Sequence, residues 1–207
     1  MIRKLSLIRI ILASNSPRRA ELLARIIPRR SFVIRKSRVR ETIRRGETPR
    51  DYAERLAEAK ALAVARRERL GRNQIAIIIG ADTVIALGGK IIGQPRDSNH
   101  ARAILGRLSG RSHNVITALS FIRLPERRRI LTTIKSAVWM RKLDPETIDR
   151  YVRSGDPLDK AGAYGIQGVG RKLIRKYRGS YSNIVGFPLL TARKILRGLM
   201  ADHRETE

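Results

Sequence analysis

The chain has 207 residues, of which 42% are hydrophobic, enough for a sizeable core, and it contains no cysteine. Disulfides, thiolate metal centres and cysteine nucleophiles are thereby excluded, which agrees with a reducing, cytoplasmic setting. Lys and Arg number 45 against 18 Asp and Glu, a formal charge of +27 that attracts polyanions.

The first apolar run, "LIRIILA", predicts a strand at about Ile8–Ala13. Neither it nor "IAIIIGA" further on approaches the ~20 residues of a membrane span, so no membrane partner is expected. Arg9 interrupts the N-terminal stretch and no small-residue cleavage site follows, which argues against a secretory leader. A helix follows through about Ile26, with Ser16 as its cap and Pro17 at its first position. Such a helix start carries about half a positive charge and favours acidic side chains. This chain offers Arg18 and Arg19 instead. Free backbone N–H groups, a serine and two guanidinium groups together make an anion site, although an arginine-rich protein also has arginines on ordinary surface helices.

"SFVIRKSRV" predicts a second strand inside the densest basic run, Arg29–Arg45. "TPRDYAERLAEAKALAVARRERLG" predicts a long helix, capped by Thr48, with Pro49 first and Gly71 just beyond its end. Tyr52, Leu56, Ala59 and Ala63 recur at helical spacing. "QIAIIIGADTVIALGGKIIGQP" reads as a buried strand, an interruption at Gly80–Ala81, more strand, and a Gly88–Gly89 hairpin turn. Another helix, "DSNHARAILGRLSG", stops at Gly110. "HNVITALSFIRL" and "RILTTIKSAVWMRKL" read as long paired strands around "PERR". A short helix runs from its cap Asp144 to Gly155; a glycine-rich segment, a short strand and a helix over about Pro188–Met200 close the chain. Interleaved strands and helices with one long hairpin predict an α/β protein with a mixed sheet. No repeat or linker divides residues 1–207, which are expected to form a single domain.

Asp82 follows a five-residue apolar strand, with Gly80 and Ala81 leaving room for close approach. A carboxylate leaving a buried strand needs a partner; metal binding, base catalysis or nearby backbone N–H groups would each supply a reason for it. Glu41, amid arginines, is a second carboxylate, and Lys60 taken alone reads as a solvated helix lysine. Lys160 and Gln167 lie in "DKAGAYGIQG", where glycines admit a ligand to the backbone. His100, His113 and His203 include no pair at metal spacing, and no phosphate-loop or nucleophile-elbow motif is present. Carboxylates for a hard cation and cations for phosphates suit a nucleotide phosphohydrolase using Mg²⁺, which takes one or two carboxylates plus substrate phosphates.

"LASNSPRRAELL", "ADTVIALGGKIIGQPRD", "LSGRSHNVITAL", "DKAGAYGIQG" and "GSYSNIVGFPL" resemble, in order, the successive signatures of the Maf family of nucleoside triphosphate pyrophosphatases. The resemblance spans about Leu5–Leu196. It implies a mixed sheet with flanking helices in two lobes around a central cleft, as in inosine triphosphatases. It also implies hydrolysis of a nucleoside triphosphate to the monophosphate and pyrophosphate, with Mg²⁺ or Mn²⁺. Thr83 after Asp82 and Gln167 in "YGIQG" are similar to the dTTP/UTP branch of that family. By the same resemblance Asp82 accepts the proton of the attacking water. Arg18, Thr83 and Gln167 bear on nucleotide choice. Ser16, Arg19, Lys60 and Lys160 contact the substrate, and Glu41 with Asp82 holds the metal. Relatives are often dimers, so a homodimer is compatible with it. Gln94 stands where the family commonly has Lys, and Phe187 where Leu is usual. The loss of a lysine predicts weaker binding or slower turnover unless another Arg substitutes. The large excess of charge leaves a second reading, a basic nucleic-acid-binding protein on an impaired scaffold; the 4% aromatic content argues against it.

Overall fold

The computed structural model describes residues 8–71 and 74–201; residues 1–7 and His203 lie outside them. The apolar strand β1 (Ile8–Ala13) runs into α1 (Pro17–Ala24), whose first turn is closed by Ser16 Oγ accepting from the Arg19 N–H at 3.4 Å. A single 3₁₀ turn leads to β2 (Phe32–Ile34), and an irregular segment to α2 (Pro49–Ala65), capped by Thr48. There follow β3 (Ile75–Leu87), β4 (Lys90–Ile92), α3 (Ser98–Leu108), β5 (Ser112–Leu124), β6 (Arg128–Met140) and α4 (Pro145–Arg153). Two further 3₁₀ turns precede β7 (Ile174–Arg178), α5 (Tyr181–Val185) and α6 (Leu189–Ala201).

The seven strands form one mixed sheet in the order β2-β1-β3-β5-β6-β7, with β4 pairing β3. β1 is parallel to both β2 and β3, and the remaining pairs are antiparallel. The period of two along β3 and β5 explains the layout of the core. On one face Ile77, Ile79, Leu119 and Phe121 pack with Leu22 and Leu23 of α1 and Leu196 and Leu199 of α6. Further along the same face Ile85 and Val115 join Leu105, Leu108, Tyr151 and Val152 under α3 and α4. Thr83, opposite Thr117, separates these two apolar clusters and defines two lobes. The other face carries α2: Leu56 and Ala57 cover Val84 and Ile116, while Ala61 and Val64 cover Ile11 and Ile78.

Four expectations are corrected. The strand at Gly80–Ala81 is not interrupted; β3 runs unbroken through both. Gly80 serves close packing: a Cβ there would lie 2.1 Å from the Ala57 carbonyl oxygen and 2.8 Å from the Ala61 nitrogen of α2. The second strand shrinks to Phe32–Ile34, because the carbonyls of Lys36 and Ser37 turn away to accept from Arg67. α2 stops at Ala65, well before Gly71, where Glu68 turns to pair with Arg9 and Leu70 packs on the sheet. Its buried stripe is Tyr52, Ala53, Leu56, Ala57, Lys60, Ala61 and Val64, rotated from the predicted one, and so includes Lys60. Alanines on both sides of the helix left that rotation undefined in the sequence.

The register opens a gap that matters for function. β1 pairs β3 only as far as Ala13 opposite Gly80, and β4 joins the same edge only at Ile92 opposite Ile85. Among the described residues, positions 81–84 therefore have no strand on that side, at the carboxyl end of a parallel pair, where open α/β sheets bind ligands. Gly80→Ala should push α2 off β3 and destabilise the protein by about 1–3 kcal/mol, the range for overpacking, as read from chemical denaturation.

Candidate functional site

A cleft of about 640 Å³ opens over this gap, between the start of α1, the unpaired edge of β3 and the glycine-rich segment. The structure brings every predicted residue to its lining: Ser16, Arg18, Arg19, Glu41, Lys60, Asp82, Thr83, Lys160 and Gln167, with Gln94 beside them.

Asp82 points to the α2 side of the sheet and is buried, at 4% exposure. Lys60, at 6%, is buried too, contrary to its reading as a solvated lysine, because it belongs to the stripe that faces β3. Its ammonium donates to Asp82 Oδ1 at 2.6 Å and lies 2.6 Å from Glu41 Oε1. A buried carboxylate without such a partner is strongly destabilised. Burial raises the Asp82 pKa above the ordinary carboxylate value; the charges of Lys60 and Arg19 pull it down without cancelling that effect.

Thr83 points to the opposite face. Arg19 spreads its guanidinium over three neutral oxygens: Gly186 carbonyl at 3.0 Å, Thr83 Oγ1 at 3.1 Å and Ser14 Oγ at 3.4 Å. Gly186 ends α5 at φ 115°, a backbone that favours glycine, and this conformation presents its carbonyl to Arg19. Thr117 Oγ1 donates to the Asn183 carbonyl at 2.9 Å, so the 3.0 Å contact between Thr83 and Thr117 has Thr83 as donor. The two hydroxyls that divide the lobes are thus satisfied where an unbonded pair would be costly.

Arg18 Nη1 meets Asp159 Oδ2 at 3.1 Å, and Lys160 bonds Asp159 Oδ1 at 2.7 Å and Asp156 Oδ1 at 3.0 Å. Gln94 Nε2 donates to the Asp159 carbonyl at 3.3 Å. Gln167 precedes a 3₁₀ turn, half-buried on the cleft wall. Sequence reasoning missed Asp159 as the counter-charge to Arg18 and Lys160, and Thr117 as Thr83's partner. Thr117 did leave a signal, as the polar residue in the period-two series Val115, Thr117, Leu119, Phe121.

Among the described residues no three His, Cys, Asp or Glu side chains converge as a ready metal cage. Glu41 and Asp82, however, aim their oxygens at one cation, the Lys60 ammonium. Two hard oxygen donors with the remaining positions left to phosphate and water fit Mg²⁺ or Mn²⁺.

A mixed α/β sheet with a cationic helix start and a buried carboxylate at an open strand edge defines a protein built around a phosphate-bearing ligand. The chain belongs to the family of Maf-like proteins, whose pattern matches residues 9–199. It is 43% identical over 188 residues to the dTTP/UTP pyrophosphatase of Clostridioides difficile, covering 91% of this chain and 93% of that one. It is 43% identical to the enzyme of the same name from Hahella chejuensis, covering 91% of each chain. The counterpart of that name in Aquifex aeolicus is 42% identical, covering 92% of this chain and 95% of that one. In fold it resembles a HAM1 protein from Coxiella burnetii, with a TM-score of 0.51 over 94% of this chain and 99% of that one, at 10% identity.

The Lys60 charge favours the ionised form of Asp82, so its removal should raise the Asp82 pKa further. An NMR titration of the Asp82 carboxyl carbon should place its midpoint above that of an exposed aspartate, and higher again in Lys60→Met. An unchanged midpoint in the variant would contradict this coupling.

Proposed function

We propose that this protein hydrolyses dTTP and UTP to the nucleoside monophosphate and pyrophosphate, as a cytoplasmic house-cleaning enzyme. The observation that carries the reading is Asp82, a buried carboxylate of raised pKa at an open strand edge, facing a cleft lined by Arg and Lys. A general base works best when its pKa is lifted toward the working pH. Water attacks the α-phosphorus: its oxygen bonds to phosphorus, the bond to the bridging oxygen breaks, and pyrophosphate leaves. The water proton passes to Asp82, whose Oδ1 is engaged by Lys60 and whose Oδ2 is left for the water.

Arg18, Arg19, Lys160 and the start of α1 with its Ser16 cap take the phosphate oxygens. Among the described residues Arg19 bonds only neutral oxygens, so no direct anionic partner there cancels its charge. Arg18 and Lys160 share Asp159 and exchange part of that contact for substrate. A divalent cation held by Glu41 and Asp82 would neutralise charge on the triphosphate. Thr83 and Gln167 read the base. Because Thr83 gives its proton to Thr117, its oxygen faces a ligand only as an acceptor, which suits the ring N–H of uracil and thymine. The names of the similar enzymes support the same pair of substrates.

The test is pyrophosphate release from a panel of nucleoside triphosphates with Mg²⁺ or Mn²⁺. Release from dTTP and UTP is expected, with a loss of about 10²–10⁴-fold in Asp82→Asn, the usual contribution of a general base. Full activity in that variant removes Asp82 from the role, and no release from any nucleotide by the unaltered protein overturns the enzymatic reading. Gln94→Lys adds a cation to the cleft wall. The difference between a charged and a neutral contact is about 1 kcal/mol, so kcat/KM for dTTP should rise several-fold in the same assay.

A further inference from the structure

The cations of the cleft are nearly all engaged. Lys60 lies between Glu41 and Asp82, Lys160 between Asp156 and Asp159, and Arg18 against Asp159. Arg19 is bound to three neutral oxygens. Arg38 differs from all of them. It lines the same cleft, its side chain is exposed, and among the described residues it makes no hydrogen bond or ion pair. Five cations and three carboxylates line the cleft, a formal charge of +2, so the loss of Arg38 would halve it.

Its backbone is unusual as well. Arg38 sits at φ 54°, a left-handed conformation that residues other than Gly, Asn and Asp seldom take. Such strain persists where the surroundings enforce it, and it is concentrated at ligand sites. The surroundings here are explicit. Ser37 is buried, its carbonyl accepts from Arg67 Nη2 at 3.0 Å, and Val39 packs against the cluster under α2. With both neighbours pinned, the side chain between them stays at the cleft wall. Arg40, two residues on, is exposed but does not reach the lining.

We infer that Arg38 is a substrate-positioning residue that grips the phosphate chain of the nucleotide. The inference rests on the reading of this cleft as a triphosphate site. A guanidinium presented without a partner can give both arms of its fork to phosphate oxygens without breaking an existing contact. Arg18 and Lys160 must first release Asp159 to do the same.

The experiment is calorimetric titration of inorganic tripolyphosphate into the unaltered protein, Arg38→Gly, Arg38→Lys and Arg40→Ala, with dTTP turnover measured on each. Glycine suits the left-handed backbone, so Arg38→Gly removes the side chain without adding strain. The expected result is about tenfold weaker tripolyphosphate binding in Arg38→Gly, the effect of one lost charge-assisted contact. KM for dTTP should rise in proportion while kcat changes less. Arg38→Lys should recover part of the loss, and Arg40→Ala, with the same change of charge in the same loop, should stay within about twofold. Unchanged binding in Arg38→Gly, or an equal loss in Arg40→Ala, would overturn the inference, as would failure of the unaltered protein to bind tripolyphosphate. If Arg38-dependent binding is found but no nucleotide is hydrolysed, the positioning role stands and the pyrophosphatase reading alone falls.

Discussion

The contact between the Lys60 ammonium and the Asp82 carboxylate, 2.6 Å long and buried on both sides, sets the terms for the rest of the molecule. A carboxylate inside a sheet is tolerated only with its counter-ion at hand. That counter-ion must come from the helix lying on the same face of β3, and it reaches Asp82 only if helix and strand are close. Gly80 provides the closeness, since no side chain separates β3 from Ala57 and Ala61 one turn away. The alanines of α2 extend the same logic: Ala53, Ala57 and Ala61 let the helix settle on the sheet, and Lys60 is the residue of that buried stripe that lines the cleft. Ion pair, close packing and open strand edge are therefore one arrangement seen from three sides.

The opposite face of β3 solves a different problem. Two apolar clusters meet there at a pair of threonines, Thr117 fully buried and Thr83 on the cleft wall, and both hydroxyls find partners within the protein. The chain of donors runs one way, from Arg19 to Thr83 to Thr117 to the Asn183 carbonyl. Asn183 is anchored in turn through its amide to Ser136 and Val115. The seam between the lobes is thus hydrogen-bonded rather than greasy, and it ends in the guanidinium that the helix start offers to the cleft. The two arginines after Pro17 have different fates: Arg19 is held by neutral oxygens of the fold, and Arg18 by the exposed carboxylate of Asp159.

Strands and helices were legible in the sequence wherever one period and one pair of boundary residues agreed. α3 and α4 have clear caps in Asp97 and Asp144, and the β5–β6 hairpin has thirteen-residue strands on either side of a short turn. The residues that line the cleft were legible as residues, because their types and order form a pattern. Their environment was not. Lys60 reads as solvated until the rotation of α2 is known, and alanine-rich helices do not declare that rotation. Gly80 reads as a breaker because a glycine that admits a helix and a glycine that bends a strand look the same in one dimension. Arg38 is lost among the basic residues of Arg29–Arg45, and only its backbone angle and its place in the cleft lining distinguish it.

The large positive charge acts on two length scales. Inside the cleft, the 2.6 Å contacts of the buried Lys60 ammonium with Asp82 and Glu41 are little affected by salt. Most of the 45 basic residues lie elsewhere on the chain and act at longer range, where screening over roughly 8 Å at physiological ionic strength limits them to guiding anions inward. They have a structural use as well. β7 is an edge strand, and an open edge invites pairing with another chain. Arg175, Lys176 and Arg178 are all exposed along it, with Lys176 lying over the Trp139 ring at 4.9 Å. A second copy approaching that edge would set these like charges against each other, so the basic side chains of β7 protect this edge of the sheet from adding strands.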